Sequence, residues 1–180
     1  LRNRNRIERA YRTAIATAQT EILIANAYFL PGGKLRRALV HAAKRGVKVR
    51  LLLQGRYEYF MQYHGSRPVY GKLLAAGVEI HEYSVGFLHA KVAVVDGRWA
   101  TVGSSNLDPL SLLLAREANV VVDDVPFARA LRARLEAAIQ SDGTQLDATT
   151  YALRPWRKRV LDRLAFGVMR LLLFLAGQRY

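Results

Sequence analysis

The sequence lacks cysteine, is poor in acidic residues and contains no uninterrupted apolar segment of membrane-spanning length. Without cysteine, disulfide bonds and thiolate chemistry are excluded. The 14 aspartates and glutamates stand against 28 lysines and arginines, which gives a formal net charge of +14. This excess of positive charge predicts an acidic partner, namely nucleic acid, anionic lipid or a phosphorylated substrate. Because 51% of the 180 residues are apolar, the chain can bury a full core, and disorder is not expected.

Short β-branched segments alternate with amphipathic helical patterns over the first 140 residues. Helices are predicted at 5–18 and at about 126–140, with a second helix that opens after the break at 31–33 and stops at Gly46. A third helix is marked by Val69, Tyr70, Leu73 and Leu74 and stops at Gly77, after an aromatic loop or short helix at 54–66. Strands are predicted at 21–27, 47–53, 78–83, 88–95, 98–102 and 115–122. The β-α-β spacing predicts parallel pairs, and Asp96-Gly97 predicts a hairpin. The fold class is therefore predicted to be α/β, with a mixed, mostly parallel β-sheet flanked by helices in one domain over residues 1–140.

The last part of the chain has a different character. Residues 141–153 are predicted to be a polar linker, and residues 154–180 a helix with a basic start and an apolar end. Arg170 interrupts the apolar part, which is shorter than the roughly 20 apolar residues that span a bilayer. A basic amphipathic helix lying among lipid headgroups fits this pattern. The alternative is a terminal helix packed on the domain or on a partner.

The stretch 89–106, HAKVAVVDGRWATVGSSN, contains the residues best suited to chemistry. Residues i and i+2 of a strand share a face, so His89 and Lys91 are expected side by side. Lysine supplies a fixed positive charge and imidazole a nucleophile or acid, a pair that suits a phosphodiester. Gly103 permits close approach of the backbone, and Ser104 and Asn106 can donate hydrogen bonds to phosphate oxygens.

Two carboxylates compete for the role of orienting His89. Asp96 lies seven residues further along the strand, so roughly 20 Å away, and it opens the predicted turn. We therefore assign Asp96 a structural role. Glu117 begins an otherwise apolar strand and needs a polar partner, which makes it the better candidate. Tyr28 and Phe29, at the end of the first strand, are expected either to line the cleft or to pack in the core.

The pattern H-x-K-x4-D-x6-G-S-x-N is met at every position by the residues His89, Lys91, Asp96, Gly103, Ser104 and Asn106. On this motif the chain is identified as a member of the phospholipase D superfamily. The stretches 24–32, 45–55, 76–83 and 100–112 resemble bacterial cardiolipin synthases, most closely the B type. The resemblance covers nearly the whole chain, as the C-terminal half of such an enzyme. Since the sequence begins with Leu1 rather than Met, a fragment of a longer protein is expected.

The resemblance implies a phospholipase D-like domain and a phosphatidyltransferase that makes cardiolipin from phosphatidylglycerol and a second phospholipid, without metal or cofactor. One motif histidine would form a phosphohistidine, and the histidine of a second motif would protonate the leaving alcohol and activate the acceptor. Lys91, Ser104 and Asn106 would hold the phosphate, and Glu117 matches the family's glutamate that binds the motif histidine. The second motif is expected from a missing N-terminal half or a homodimer partner. The implied location is the cytoplasmic side of the inner membrane, peripherally bound.

Two positions depart from the family's pattern, because many members have Arg and Asn where this chain has Leu110 and Ala115. Two alternatives to the transferase stay open. One is a homodimeric single-motif phosphodiesterase or nuclease, for which the positive charge would bind nucleic acid. The other is a non-catalytic half that pairs with another motif-bearing chain. The basic and apolar terminal helix favours lipid over nucleic acid.

Overall fold

Helices and strands alternate along the chain in a computed structural model that describes residues 6–109, 111–112 and 115–175. The elements in chain order are α1 Arg6–Thr17, β1 Glu21–Asn26, α2 Gly33–Lys44, β2 Lys48–Gln54, α3 Phe60–Leu74, β3 Glu79–Tyr83, β4 Lys91–Val95, β5 Trp99–Gly103, β6 Asn119–Asp123, α4 Val125–Asp142, β7 Gly143–Gln145, α5 Ala148–Ala152 and α6 Trp156–Leu175. Leu110, one of the two departures from the family's pattern, lies outside the described residues. So do residue 5 of the first predicted helix and residues 176–180 of the last one.

The strands form one mixed sheet in the order β6-β5-β4-β1-β2-β3-β7. The prediction of a mixed sheet is confirmed, but the expected predominance of parallel pairing is wrong. Among the described strands, β1–β2 and β2–β3 pair in parallel, whereas β1–β4, β4–β5, β5–β6 and β3–β7 are antiparallel. The reason lies in the connections: helices α2 and α3 return the chain for parallel pairing, while β4 to β6 follow one another without an intervening helix of that length.

Helices cover both faces of the sheet, and each face has its own core. In β1, Ile22 and Ile24 belong to the larger core with residues of α1, α2 and α3, while Leu23 and Ala25 belong to the second core with residues of α4. All four side chains are fully buried. A central strand covered on both faces has an unbroken apolar sequence, which explains the apolar run of β1.

Helix α3 and strand β6 differ from their predicted bounds. Helix α3 starts at Phe60, so it joins part of the predicted aromatic segment 54–66 to the helix predicted from Val69 onward. Its period is hidden because it packs against both the sheet and α6 and so lacks one clear apolar face. Strand β6 starts at Asn119 rather than 115 and forms one edge of the sheet. Its Val120 and Val121 are 65% and 47% exposed, so the apolar run here marks an edge strand rather than a buried one.

Residues 141–153, the predicted linker, include β7 and α5 and pack on the domain. Strand β7 pairs with β3, and Tyr151 of α5 is buried and donates a hydrogen bond from its hydroxyl to the carbonyl of Arg67 at 2.9 Å. Elements as short as β7 and α5 show no periodic pattern of apolar residues, so the sequence did not predict them. The division of the chain into a catalytic domain, a linker and a terminal helix stays a prediction.

Helix α6 lies along α3 and exposes its other side. The Asp162 carboxylate, 3% exposed as a residue, lies 2.8 Å from His64 Nδ1 and accepts a hydrogen bond from Arg154 at 3.1 Å. Phe166 and Met169 pack against the larger core. The exposed apolar residues of the helix, called here the outer face of α6, are Trp156, Val160, Leu161, Leu164, Val168, Leu171, Leu172, Phe174 and Leu175. No helix within the described ranges is long and apolar enough to cross a membrane.

Candidate active site

The motif residues gather where β1 ends, β4 begins and β5 ends. Asn26, the last residue of β1, pairs with Lys91, the first residue of β4. The side-chain oxygen of Asn26 accepts a hydrogen bond from the backbone of Leu107 at 3.1 Å, which ties the loop after β5 to β1. Asn26 is fully buried and is absent from the predicted site. The sequence feature that could have indicated Asn26 is its position as a polar residue at the end of the apolar run of β1.

Lys91 is a buried cation, with 6% of the residue exposed. Its ammonium donates a hydrogen bond to the carbonyl of His89 at 2.9 Å. Burial lowers the pKa of Lys91 from its ordinary value of 10.5, while the carboxylates of Glu117, Asp108 and Glu58 act in the opposite sense. An ammonium has three donors, so two N–H groups are left over from the contacts with the described residues. Lys91 can therefore bind an anion that enters the site.

His89 lies just before β4, and its residue is exposed. The strand starts three residues later than predicted, although the hydrogen bond from Ala27 to the carbonyl of Ala90, at 3.0 Å, keeps this segment beside β1. The alternation of β4 places Ala93 and Val95 in the larger core and Val94 in the second core. The backbone carbonyl of His89 contacts the buried ammonium of Lys91, and the exposed residue is accessible to a substrate and to another chain.

Ser104 and Glu117 contact each other. The Ser104 hydroxyl donates to the Glu117 carboxylate and accepts from the backbone of Ala118 at 3.1 Å. Gly103 permits this approach, because a Cβ at that position would lie 2.4 Å from the carbonyl oxygen of Ala118. Within the described part of the chain no hydrogen bond joins Glu117 to His89, so an orienting role for Glu117 stays a prediction. Ser104 can donate to a phosphate only when its bond to Glu117 opens.

Asn106 is held by a buried network. Its side-chain oxygen accepts a hydrogen bond from the backbone of Tyr28 at 3.2 Å, and its amide nitrogen donates to Ser111 Oγ at 3.4 Å. Ser111 Oγ in turn donates to the Asp108 carboxylate at 3.1 Å. This network fixes which end of the Asn106 amide is the donor, and leaves its second N–H for a ligand. Asp108 and Ser111, two members of this network, belong to the stretch 100–112, but their role in the site was not predicted from the sequence.

Asp96 lies at the opposite end of β4 from Lys91. Its carboxylate accepts hydrogen bonds from the backbone of Gln19, Thr20 and Glu21 at 2.8, 2.9 and 2.9 Å, and from the Thr20 hydroxyl at 2.9 Å. Its φ of 50° and the φ of 60° at Gly97 form the turn, and the paired residues nearest to it are Val95 and Trp99. Asp96 thus joins the hairpin to the start of β1, at the end of the strand away from Lys91.

The two aromatic candidates differ in environment. Tyr28 donates its hydroxyl to Glu58 at 2.7 Å, and burial together with Glu58 raises the pKa of the phenol. Phe29 is 3% exposed and belongs to the larger core.

Ala115, one of the departures from the family's pattern, is exposed. Across the described ranges, no cluster of three or more His, Asp or Glu side chains could hold a metal ion.

A family model and a curated relative match most of this chain. The family model described as "Cardiolipin synthase, PLD-like domain" matches residues 11–139. Cardiolipin synthase B of Shigella flexneri is 45% identical over 168 residues, which cover 93% of this chain and 41% of that protein. The chain therefore spans less than half the length of this relative.

Two solved structures share the fold. Phosphatidylserine synthase of Haemophilus influenzae Rd KW20 superposes with a TM-score of 0.70 and 14% identity, covering 96% of this chain and 44% of that chain. The phospholipase D family member Nuc of Salmonella typhimurium gives a TM-score of 0.67 with 23% identity, covering 77% of this chain and 90% of that chain. The resemblance predicted from the motif is confirmed, and the chain belongs to the family of phospholipase D-like domains described as cardiolipin synthase.

Proposed function

We propose that this chain is one half of a phosphatidyltransferase that makes cardiolipin from phosphatidylglycerol and a second phospholipid. The observation that supports this most directly is the buried, lowered-pKa ammonium of Lys91 beside the exposed His89. A phosphate diester compensates a buried cation, and the adjacent imidazole can attack its phosphorus or transfer a proton. The 45% identity to cardiolipin synthase B favours a lipid phosphodiester as the substrate.

The chemistry has two steps. The free N–H groups of Lys91 and Asn106 bind the non-bridging oxygens of the donor phosphate. One motif histidine attacks phosphorus, which forms a P–N bond and breaks the P–O bond to the leaving alcohol, and the other histidine gives that alcohol its proton. The second histidine then removes the proton of the acceptor hydroxyl, whose oxygen forms the new P–O bond as the P–N bond breaks. The first histidine is then free of phosphorus and the second is protonated again, so the pair can react with another substrate.

Two motif histidines are needed, and the described residues supply one motif. We propose that the second comes from an adjoining half or from a second copy of this chain. The exposure of His89 supports this arrangement, because a partner imidazole can then reach the far side of a bound phosphate. In-line displacement requires the attacking and leaving groups on opposite sides of phosphorus, which a single motif cannot provide.

The proposed location is the cytoplasmic surface of the inner membrane. The outer face of α6 exposes leucines such as Leu164 and Leu171, at 61% and 57%, on the side away from α3. Arg159, Arg163 and Arg170 recur at helical spacing beside this face and are exposed. An apolar helix face bordered by basic residues is typical of helices that lie among anionic headgroups.

The test is lipid turnover with labelled phosphatidylglycerol, using this chain alone and the longer reading frame that contains it. We expect cardiolipin formation from the reading frame with two motifs, and its loss by at least about a thousandfold in His89→Ala, because the nucleophile or the acid is removed. Exposed His41, which lies on α2, provides the control His41→Ala. Cleavage of DNA without any lipid product would contradict the proposal and favour the nuclease alternative.

A further inference from the structure

A groove between α3, α5 and α6 is lined largely by basic residues and is called here the basic groove. Its volume is about 300 Å³, which is at the lower end of the range of about 300–1,000 Å³ for small-molecule sites. Lys72 of α3 lines it together with Arg159 and Arg163 of α6. The groove therefore brings together cations from two helices.

The basic groove is separate from the phosphate site. Helix α3 begins at Phe60. The preceding residue, Tyr59, contacts the ring of Tyr28, which donates a backbone hydrogen bond to Asn106 in the phosphate site. Lys72 lies about 18 Å further along α3 than Phe60, at the rise of an α-helix. The groove is thus at the end of α3 away from the phosphate site.

The floor of the groove is fixed, and its carboxylate is already paired. Among the described residues of the lining, Asp162 is the acidic one. Its carboxylate lies 2.8 Å from His64 Nδ1 and accepts a hydrogen bond from Arg154 at 3.1 Å. The Arg154 guanidinium also lies 3.6 Å from the centroid of the Tyr151 ring. The other basic groups therefore have no free carboxylate in the groove to compensate their charge.

Three cations in the groove are available to a ligand. Lys72, Arg159 and Arg163 are exposed, and their side chains form no ion pair or hydrogen bond with any residue that the structure describes. Like charges gathered in one groove attract an anion. A guanidinium can bind two phosphate oxygens at once, and an ammonium acts as a point charge beside them. The groove is therefore suited to a phosphate group.

The number of unpaired cations favours a phosphomonoester over a phosphodiester. A diester carries one negative charge, whereas a monoester carries about 1.5 to 2 at pH 7 and offers three terminal oxygens. The larger charge is the better match for three cations without a free carboxylate. A monoester also has no headgroup alcohol to be displaced, so it cannot serve as the donor in the transfer proposed at Lys91.

We propose that the basic groove binds the phosphomonoester of an anionic lipid, of the phosphatidic acid class, in the bilayer on which α6 lies. Arg163 is three residues from Val160 and adjacent to Leu164, which both belong to the outer face of α6. A phosphate held between Lys72 and Arg163 therefore has its acyl chains beside that apolar face. The inference rests on the membrane contact in the proposed function, and it adds a lipid-binding site apart from the catalytic one.

The first test compares vesicles that differ in the type of phosphate but not in surface charge. Phosphatidylcholine vesicles contain either phosphatidic acid or phosphatidylglycerol, in fractions adjusted until their zeta potentials are equal. Sedimentation then gives the affinity of the 180-residue chain for each kind of vesicle. We expect at least about fivefold tighter binding to phosphatidic acid, because charge-assisted hydrogen bonds in the groove strengthen with the charge of the phosphate. Equal affinities would overturn the inference.

The second test removes one cation at a time and has matched controls. Lys72→Ala and Arg163→Ala should lose most of the preference for phosphatidic acid, since both residues line the groove. Lys158→Ala and Arg157→Ala remove the same charges at exposed positions of α6 outside the lining, and should weaken binding to both kinds of vesicle equally. Circular dichroism checks that each variant is folded. An unchanged preference in Lys72→Ala would contradict the inference.

Two further probes distinguish a lipid from other phosphate-bearing partners. Glycerol phosphate is a water-soluble monoester without acyl chains, and we expect calorimetry to show binding at least about tenfold weaker than to phosphatidic acid vesicles, because the apolar contribution is missing. Equally tight binding would overturn the assignment to lipid. A single-stranded DNA oligonucleotide tests nucleic acid as the partner. DNA binding that is lost in Lys72→Ala, with the vesicle preference unchanged, would also overturn the inference.

The catalytic residue His89 separates this inference from the proposed function. His89→Ala should keep the preference for phosphatidic acid, since the groove is a different site. If the preference is present but no two-motif form makes cardiolipin, the groove assignment stands and the proposed function fails. If cardiolipin is formed by a chain without this preference, the proposed function stands and the groove assignment fails.

Discussion

At the scale of single residues, Lys91 carries most of the interpretation of the site. Burying an ammonium costs free energy, and the described residues give it only the carbonyl of His89 as a hydrogen-bond acceptor. The nearby carboxylates of Glu117, Asp108 and Glu58 reduce that cost. The site is thus arranged to gain by binding an anion, which is the property a phosphate site needs.

The lowered pKa of Lys91 predicts the alkaline limb of the rate profile. Phosphate binding requires the protonated ammonium, so kcat/KM should fall as pH rises through the pKa of Lys91, which lies below the ordinary value of 10.5. Lys91→Arg keeps its charge at higher pH, and we expect its alkaline limb to move upward even if its rate is lower. The measurement is kcat/KM against pH, with exposed Lys48→Arg as control. Coincident alkaline limbs for Lys91→Arg and the wild type would contradict this assignment.

The motif residues could be predicted because their spacing is local, whereas their supports could not. His89, Lys91, Ser104 and Asn106 lie within 18 residues of one another in sequence. Asn26 and Tyr28 reach the same site across 81 and 78 residues, through hydrogen bonds that only the folded sheet brings together. The Ser104–Glu117 contact likewise depends on the pairing of β5 with β6. No local pattern encodes these distant pairs.

At the scale of elements, the contact between α3 and α6 depends on one buried carboxylate. Asp162, with its side chain 4% exposed, is shared by His64 and Arg154. Removing one member of a buried charged group leaves the others unpaired, which costs about 3 kcal/mol at the low end of such effects. Arg154 is partly exposed and can turn toward water, so the low end applies here.

We therefore expect Asp162→Ala to lower the free energy of unfolding by about 3 kcal/mol and to release α6 from α3. The measurements are denaturant unfolding and hydrogen exchange of the α6 amides, which should exchange faster than those of β1. Asp123→Ala breaks the exposed pair with Arg98 and should change neither quantity measurably. Unchanged exchange of α6 in Asp162→Ala would show that apolar packing alone holds the helix.

Elements with a single buried face were predicted well. Elements that are buried on several sides, or that have only a few residues, were not. The period of α2, with Leu35, Leu39 and Ala42 buried, gives its bounds closely. Helix α3 has partners on more than one side, which hides its period, and β7 has only the residues Gly143–Gln145. Their formation depends on neighbours that are distant in sequence, so propensity could not reveal them.

At the scale of the whole molecule, the outer face of α6 and the net charge of +14 act in the same direction. Apolar side chains in water gain free energy on entering a lipid interface, and basic residues gain from anionic headgroups. The proposed membrane contact therefore gains free energy both from apolar burial and from electrostatic attraction, and only the electrostatic part is weakened by salt.

We expect the double variant Leu164→Glu with Leu171→Glu to bind phosphatidylglycerol vesicles at least about tenfold more weakly, because each leucine contributes on the order of 1.5 kcal/mol when buried. Both side chains are already mostly exposed, so folding should be preserved. Vesicle sedimentation gives the bound fraction, and circular dichroism checks the fold. Gln140→Glu with Gln145→Glu makes the same change in net charge at exposed positions and serves as control. Equal loss in both double variants would mean that charge alone drives binding.

Strand β6 has a consequence for the physical handling of this chain. It ends the sheet with backbone groups that no further strand pairs in the described part of the chain, and with the exposed valines Val120 and Val121. Such an edge can accept a strand from another molecule. At high concentration the sheet could therefore grow from one molecule into the next, and solubility would then depend on what covers this edge. Preparations of the chain should be kept dilute or given a charged residue at the strand, such as Val120→Lys.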